Sequence, residues 1–314
     1  MGFELGNIDN NGIHPILEGI AAGDALGFPY EGVRPKKIRW GFFGSWGITS
    51  DDTQLAHMAY LALKKSDGDP EVFAKLLVKK FTFWFICLPP TLGLATLRAC
   101  LKMLLGLDPR QCGVNSSGNG PLPRAILLGW ELAKDPDFDK YIELSTRITH
   151  TGYEALVASQ ALARLTAYLK VNGYPGAKDT LILLRGLDDS SEWKRVISAI
   201  EHSHSLFELM HRTGQSGGIG GFSYHTMAVV LWLFLNKPYR DGMLSCVYAG
   251  GDTDSAAALL GGLWAARRVS VPPVWHRILD YPISNEPSPK RFFYNLFTIV
   301  AIFTYYVPKR LLGY

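Results

Sequence analysis

The chain has 314 residues, 47% hydrophobic and 19% charged, which is ample apolar material for a sizeable core. Lys and Arg exceed Asp and Glu by only 4, and no basic run of five or more occurs, so a nucleic-acid-binding surface is not expected. Four cysteines without a Cys-x-x-Cys pair, and no basic and apolar leader, give the expectation of a reduced, cytoplasmic setting.

In chain order, helical spacing and good helix formers predict helices over residues 12–26, 51–65, 70–86, 92–105, 121–134, 152–170, 191–204, 224–235 and 253–267. Alternation of polar and apolar residues over a strand length is scarce, so the expected fold class is all-α. Breaks are expected at Asp67-Gly68-Asp69-Pro70, Pro89-Pro90, Gly113 to Pro123, Gly173 to Gly176, Gly214 to Gly221 and Pro272-Pro273. Residues 290–314 read as an apolar C-terminal extension. Between Arg291 and Lys309 there is no formal charge, but the stretch 292–308 falls short of a comfortable membrane span and contains Asn295 and Pro308. A buried C-terminal helix is expected there, rather than a membrane anchor.

Two short stretches concentrate hard oxygen donors: Ser50-Asp51-Asp52-Thr53, and Gly250-Gly251-Asp252-Thr253-Asp254-Ser255. Each precedes an apolar helical run, and taken singly each could be an N-cap with acidic residues complementing the helix dipole. A cap needs one side-chain oxygen, however, and extra adjacent carboxylates repel one another unless a cation or solvent screens them. Carboxylates and hydroxyls without sulfur or imidazole suit Mg²⁺ or Mn²⁺ better than Zn²⁺. The two stretches therefore read as halves of one cation site. Because they lie two hundred residues apart, one domain spanning residues 1–314 is expected rather than two.

Other signals are weaker alone. Gly23 to Glu31 closes a helix and delivers Glu31 into a loop. Ser116-Ser117-Gly118-Asn119-Gly120 feeds a helix start, where backbone N–H groups could take a phosphate or a ribose hydroxyl. His150 sits between two helices. His202, His204 and His211 do not share a helix face as zinc ligands would, and Gly217 to Gly221 is not a dinucleotide fingerprint.

Taken in order, Gly23 to Glu31, Ser50 to Gln54, Gly118-Asn119-Gly120 with Arg124, Thr149-His150, and Gly250 to Ser255 resemble the ADP-ribosylglycohydrolase family across residues 12 to 280. The resemblance implies a compact helical fold around two Mg²⁺ or Mn²⁺ ions. Ser50, Asp51 and Asp52 would ligate from one side and Asp252, Asp254 and Ser255 from the other. It also implies that Glu31 belongs to a flap, that Ser116, Ser117, Gly118 and Asn119 hold ADP-ribose, and that His150 contacts substrate. Ser stands at 50 and 255 where the family pattern has Thr, Pro123 where Met is common, and Phe222 and His225 where many members carry Tyr and Asp. The implied activity is removal of ADP-ribose from a modified protein side chain, arginine first, through an oxocarbenium-like transition state. Glu31, Asp51 and Asp252 are the acidic candidates for catalysis, and the implied partner is an ADP-ribosylated protein or ADP-ribose. The alternative is a non-enzymatic homologue that binds or neutralises an ADP-ribosylating toxin.

Overall fold

A computed structural model describes residues 14–40, 46–89, 91–276, 278 and 289–307, and among these every regular element is helical. The helices are α1 (Pro15–Gly27), α2 (Asp51–Lys64), α3 (Pro70–Ile86), α4 (Leu94–Leu104), α5 (Pro109–Cys112), α6 (Leu122–Glu131), α7 (Phe138–Arg147), α8 (Tyr153–Asn172), α9 (Ala177–Arg185), α10 (Ser191–His202), α11 (Leu206–Arg212), α12 (Ser223–Asn236), α13 (Tyr239–Ala249), α14 (Thr253–Ala266) and α15 (Pro289–Ala301). Local chemistry sets several starts. Asp69 accepts from the Glu71 and Val72 amides with Pro70 at the first position, and Ser50, Asp108, Ser190 and Ser205 cap the helices that follow them.

All nine predicted helices are present. α5, α7, α9, α11 and α13 were not expected. They are short, and α13 contains Gly242, which lowers its intrinsic helix propensity. They are helical because tertiary burial supplies what propensity does not: Tyr141, Ile142 and Leu144 anchor α7, and Met243, Cys246 and Val247 anchor α13.

Burial divides the interior into two apolar clusters. The larger is built on α1, α8, α10, α12, α13 and α14, and the smaller on α2, α3, α4 and α7. α6 serves both, turning Leu122, Ile126 and Leu127 to the first and Ala125 and Leu128 to the second. At the centre α1 and α14 run antiparallel at very close approach. Gly19 faces Gly261, Gly23 faces Ala257 and Gly27 faces Thr253; a Cβ on these three glycines would lie 2.4, 1.9 and 2.2 Å from the opposing carbonyl oxygen. Small residues every fourth position thus let two backbones touch, and Thr253 Oγ1 closes the seam by donating to Gly27 O at 2.9 Å.

The C-terminal helix departs from expectation. α15 buries its polar residues, Asn295 at 1% and Thr298 at 0% exposure, while Phe293, Leu296, Val300 and Phe303 are 65%, 48%, 51% and 68% exposed. Asn295 Nδ2 donates to Cys87 O at 2.7 Å, so a hydrogen bond from its buried polar side seats this helix. Pro308 lies outside the described residues. No described helix is long and apolar enough to cross a membrane.

Candidate active site

The α1/α14 seam brings the two acidic stretches together, through a residue the sequence reading did not single out. Asp24, fully buried on α1, accepts from Ser50 N at 2.9 Å with one carboxyl oxygen, and from Thr53 N at 3.1 Å and Thr53 Oγ1 at 2.5 Å with the other. It thereby fastens the start of α2 to α1. Ser50 Oγ caps the same helix by accepting from Asp52 N at 3.3 Å, and Asp51 N donates to Thr91 Oγ1 at 3.1 Å. Across the seam, Ser255 Oγ donates to Asp52 Oδ2 at 2.7 Å, a direct bond between the two stretches.

Electrostatics make this cluster unusual. Burial lifts Asp24 and Asp51 from the ordinary carboxylate range to about 7, with the charges of Asp24 and Glu31 adding to the effect on Asp51. Asp52 is pushed well up by burial first and then by Asp51, Asp24 and Asp252, and Asp254 by burial first and then by Glu31, Asp252, Asp52 and Asp24. Asp254 Oδ1 is buried with no hydrogen-bond partner. Arg124 is a buried cation close enough to feel Asp52 and Asp51. Burial lowers it to about 10 against their pull, and its donors are directed to Gly120 O, Ser145 O and Oγ, and Thr149 Oγ1. Fully ionised, the cluster would carry more negative charge than Arg124 offsets, which is why its carboxyls hold their protons more tightly than usual.

Among the described residues, no three His, Cys, Asp or Glu side chains form a ready-made ion cage. Existing partners hold the carboxylates apart: Asp24 is engaged with Ser50 and Thr53, Asp52 with Ser255, and Asp252 with Asn119. The available donors are nevertheless all oxygen, and one of them, on Asp254, is unused. That donor chemistry fits a hard divalent cation and not a thiolate- or imidazole-seeking one.

The glycine-rich loop approaches from the other side. Asn119 Nδ2 donates to Asp252 Oδ2 at 2.8 Å and to Thr226 Oγ1 at 2.9 Å, tying the loop to the acidic cluster. The loop's own amides are less free than the sequence suggests: Gly118 N donates to Ser116 Oγ at 3.2 Å and Asn119 N to Gly221 O at 2.9 Å. Ser117 faces elsewhere, its hydroxyl donating to Glu154 Oε2 at 2.5 Å. His150 lies beneath the loop, 4% exposed, with Nδ1 2.9 Å from Thr149 Oγ1; burial and the nearby Arg124 hold it down to about 3, so it is neutral at ordinary pH.

The 217–221 stretch is a strut between the halves, a role its glycine content alone did not reveal. Ile219 N donates to Gly250 O at 2.8 Å, Asp252 N to Ile219 O at 2.9 Å, and Gly118 bridges Phe222. Gly250 and Gly251, at φ 71° and 81°, take a left-handed path that an L side chain would strain, and this turn aims Asp252 into the site. Glu31, Gly32, Gly251 and Asp252 line an open cavity of ≈ 360 Å³, with Gly32 N donating to Gly251 O at 2.8 Å. A separate surface groove of ≈ 430 Å³, lined by Glu71, Lys75, Asp108, Pro109 and Arg110, shares no residue with this site.

An all-helical chain with buried carboxylates meeting at the starts of α2 and α14 belongs to a recognisable class. A model of the ADP-ribosylglycohydrolase family matches residues 12–293, and the chain belongs to that family. It is 25% identical over 288 residues to the ADP-ribosyl-[dinitrogen reductase] glycohydrolase of Rhodospirillum rubrum, covering 85% of this chain and 90% of that protein. It is 27% identical over 275 residues to an uncharacterised protein of Archaeoglobus fulgidus, covering 82% and 88%. A solved ADP-ribosylglycohydrolase-related protein complex aligns with a TM-score of 0.66 and 25% identity, over 91% of this chain and 96% of that one. Membership of that family supports a hydrolase acting on ADP-ribosyl groups.

Proposed function

We propose that this glycohydrolase removes ADP-ribose from a modified protein side chain, arginine being the first substrate to test, and that it requires two Mg²⁺ or Mn²⁺ ions. The observation that carries the reading is the meeting of Asp24, Asp51, Asp52 and Asp254 at the α1/α14 seam, with Asp254 Oδ1 unpartnered and Arg124 as the buried counter-charge among the described residues. Ser50, Asp51 and Asp52 would hold the ions from the α2 side, and Asp252, Asp254 and Ser255 from the α14 side. Bound there, such ions would supply charge stabilisation and a lowered pKa for water. The chain's own residues do the rest. Asn119 fixes the orientation of Asp252, which faces the cavity and, with Asp51, is the candidate proton acceptor. Glu31 lines the same cavity. Neutral His150, under Gly118 and Gly120, offers a hydrogen-bonding edge to substrate without adding charge.

The test is release of ADP-ribose from arginine-modified and serine-modified proteins, with Mg²⁺, with Mn²⁺ and with chelator. The proposal predicts cation-dependent release from one of the two and its loss in Asp254→Ala. Turnover undiminished by chelator would refute the metal requirement. Cation-dependent binding of ADP-ribose with no turnover of either substrate would favour the non-catalytic reading.

A further inference from the structure

Glu31 and Gly32 line the cavity beside Gly251 and Asp252, and they belong to a loop that must be held there. The loop leaves the turn Phe28–Tyr30 and is closed at its base by Tyr30, whose hydroxyl accepts from Arg39 N at 2.6 Å and donates to Arg39 O at 3.1 Å. Val33 and Ile38 pack on the larger apolar cluster and Pro35 is buried, which gives the loop a fixed underside. On the cavity side, Gly32 N donates to Gly251 O at 2.8 Å.

Arg34 adds a stronger junction. Its side chain is exposed yet committed: Nε donates to Ala249 O at 3.1 Å and Nη2 to Ser216 O at 2.8 Å. Ala249 is the last residue of α13, where helix carbonyls lack intrahelical partners and the dipole favours a cation. Ser216 immediately precedes the 217–221 strut. The aliphatic stem lies across Gly250, where a Cβ would stand 2.5 Å from Arg34 Cγ. One guanidinium thus joins three segments: the Glu31 loop, the end of α13 and the start of the strut. The last two place Asp252, through Ile219 N to Gly250 O and Asp252 N to Ile219 O.

An exposed arginine beside a cavity invites a reading as a grip for substrate phosphate. Here two of its three nitrogens are instead spent on backbone carbonyls 182 and 215 residues away along the chain. Lysine is no substitute, because an ammonium is a single point whereas the planar fork meets two acceptors at once. Since the side chain is exposed, deleting it opens no hole in the core, and the consequence falls on the alignment of the site and not on the fold.

We propose that Arg34 is a positioning residue of the candidate active site, latching the Glu31 loop to the two segments that aim Asp252. Its consequence for turnover rests on the glycohydrolase reading; the latch itself rests on the bonds above. Without it, Glu31 and Asp252 lose their fixed relation, and a misplacement of about 1 Å can cost on the order of a hundredfold in rate.

The first measurement needs no substrate: amide hydrogen exchange of the full chain, read by NMR. Arg34→Ala should speed exchange at Gly32, Ile219 and Asp252 by about tenfold or more and leave Leu162 and Leu165 of α8 at parental rates. The second is release of ADP-ribose from the modified proteins. Arg34→Ala should lower kcat by about tenfold or more with KM changed by less than about threefold, and Arg34→Lys should stay nearer to it than to the parent. Free guanidinium at a non-denaturing concentration should restore part of the Arg34→Ala rate, and methylammonium should not. Unchanged exchange at the three amides overturns the latch, and so does exchange that rises equally in α8, since Arg34 would then hold the whole fold. Parental kcat in Arg34→Ala overturns the positioning role, as does a loss confined to KM, which would assign Arg34 to substrate binding. A parent that releases no ADP-ribose from either substrate sinks the glycohydrolase reading, and exchange then decides the latch on its own.

Discussion

Asp254 enters the first turn of α14 with a buried, unbonded carboxyl oxygen, and burial together with Glu31, Asp252, Asp52 and Asp24 holds its pKa well above the ordinary range. A carboxyl whose folded pKa is raised destabilises the fold once pH exceeds its unfolded value, and the destabilisation grows until pH passes the folded value. Without added cation, Asp254→Asn should therefore melt higher than the parent, by roughly a few degrees at pH 8, and nearly level with it at pH 4. The same variant should lose any stabilisation by Mg²⁺, and paired melting curves read both effects. His150 behaves oppositely. Its folded pKa of about 3 lies below the unfolded value near 6.5, so its contribution is intact above pH 6.5 and is lost as pH falls from 6.5 towards 3, by at most ~1.4 kcal/mol per pH unit. Urea midpoints across that window should fall less steeply in His150→Asn than in the parent. At Ser255 the hydroxyl is what matters, since Oγ reaches Asp52. Ser255→Thr should keep Mg²⁺ affinity and Ser255→Ala should lower it, by calorimetry.

The seam between α1 and α14 is where a single methyl group is least tolerable. A Cβ at Gly23 would stand 1.9 Å from Ala257 O, and both partners are backbone in long helices that cannot yield singly. Gly23→Ala should thus cost more than about 3 kcal/mol, above the usual range for overpacking, seen as a collapsed urea midpoint or failure to fold. Gly186→Ala, where nothing lies within 4 Å, should be nearly neutral by the same measurement. This element also marks how far the sequence could be read. The acidic residues of α2 and α14 stand out because each group is local, a few residues wide and chemically distinctive. Asp24 does not, because a lone Asp inside an apolar helix becomes legible only when Ser50 and Thr53 are seen bonded to it. The 217–221 strut is invisible for a related reason: its work is backbone hydrogen bonding, which any residue could offer in sequence. α15 was foreseen as a buried helix and is a helix whose apolar residues are exposed, since composition reports how apolar a segment is and not where Asn295 finds its acceptor.

Across the whole molecule, the excess of buried negative charge makes stability a reporter of cation binding. Mg²⁺ at about a hundred times its dissociation constant should stabilise the fold by ~2.7 kcal/mol, reversed by chelator, and calorimetric melting with and without Mg²⁺ measures it. The seam has a further consequence, in time rather than energy. Gly19 and Gly261 face each other from nearly opposite ends of the sequence, and Asp24, Asp52 and Ser255 meet only because they do. A ribosome adding roughly 5–20 residues per second therefore carries an incomplete site for the whole interval between α1 and α14. Until α14 has left the exit tunnel, α1 has no surface for its glycine face and the carboxylates of α2 remain in water. The nascent chain has an unpaired helix face for a chaperone to cover, and its site cannot assemble before α14 has emerged.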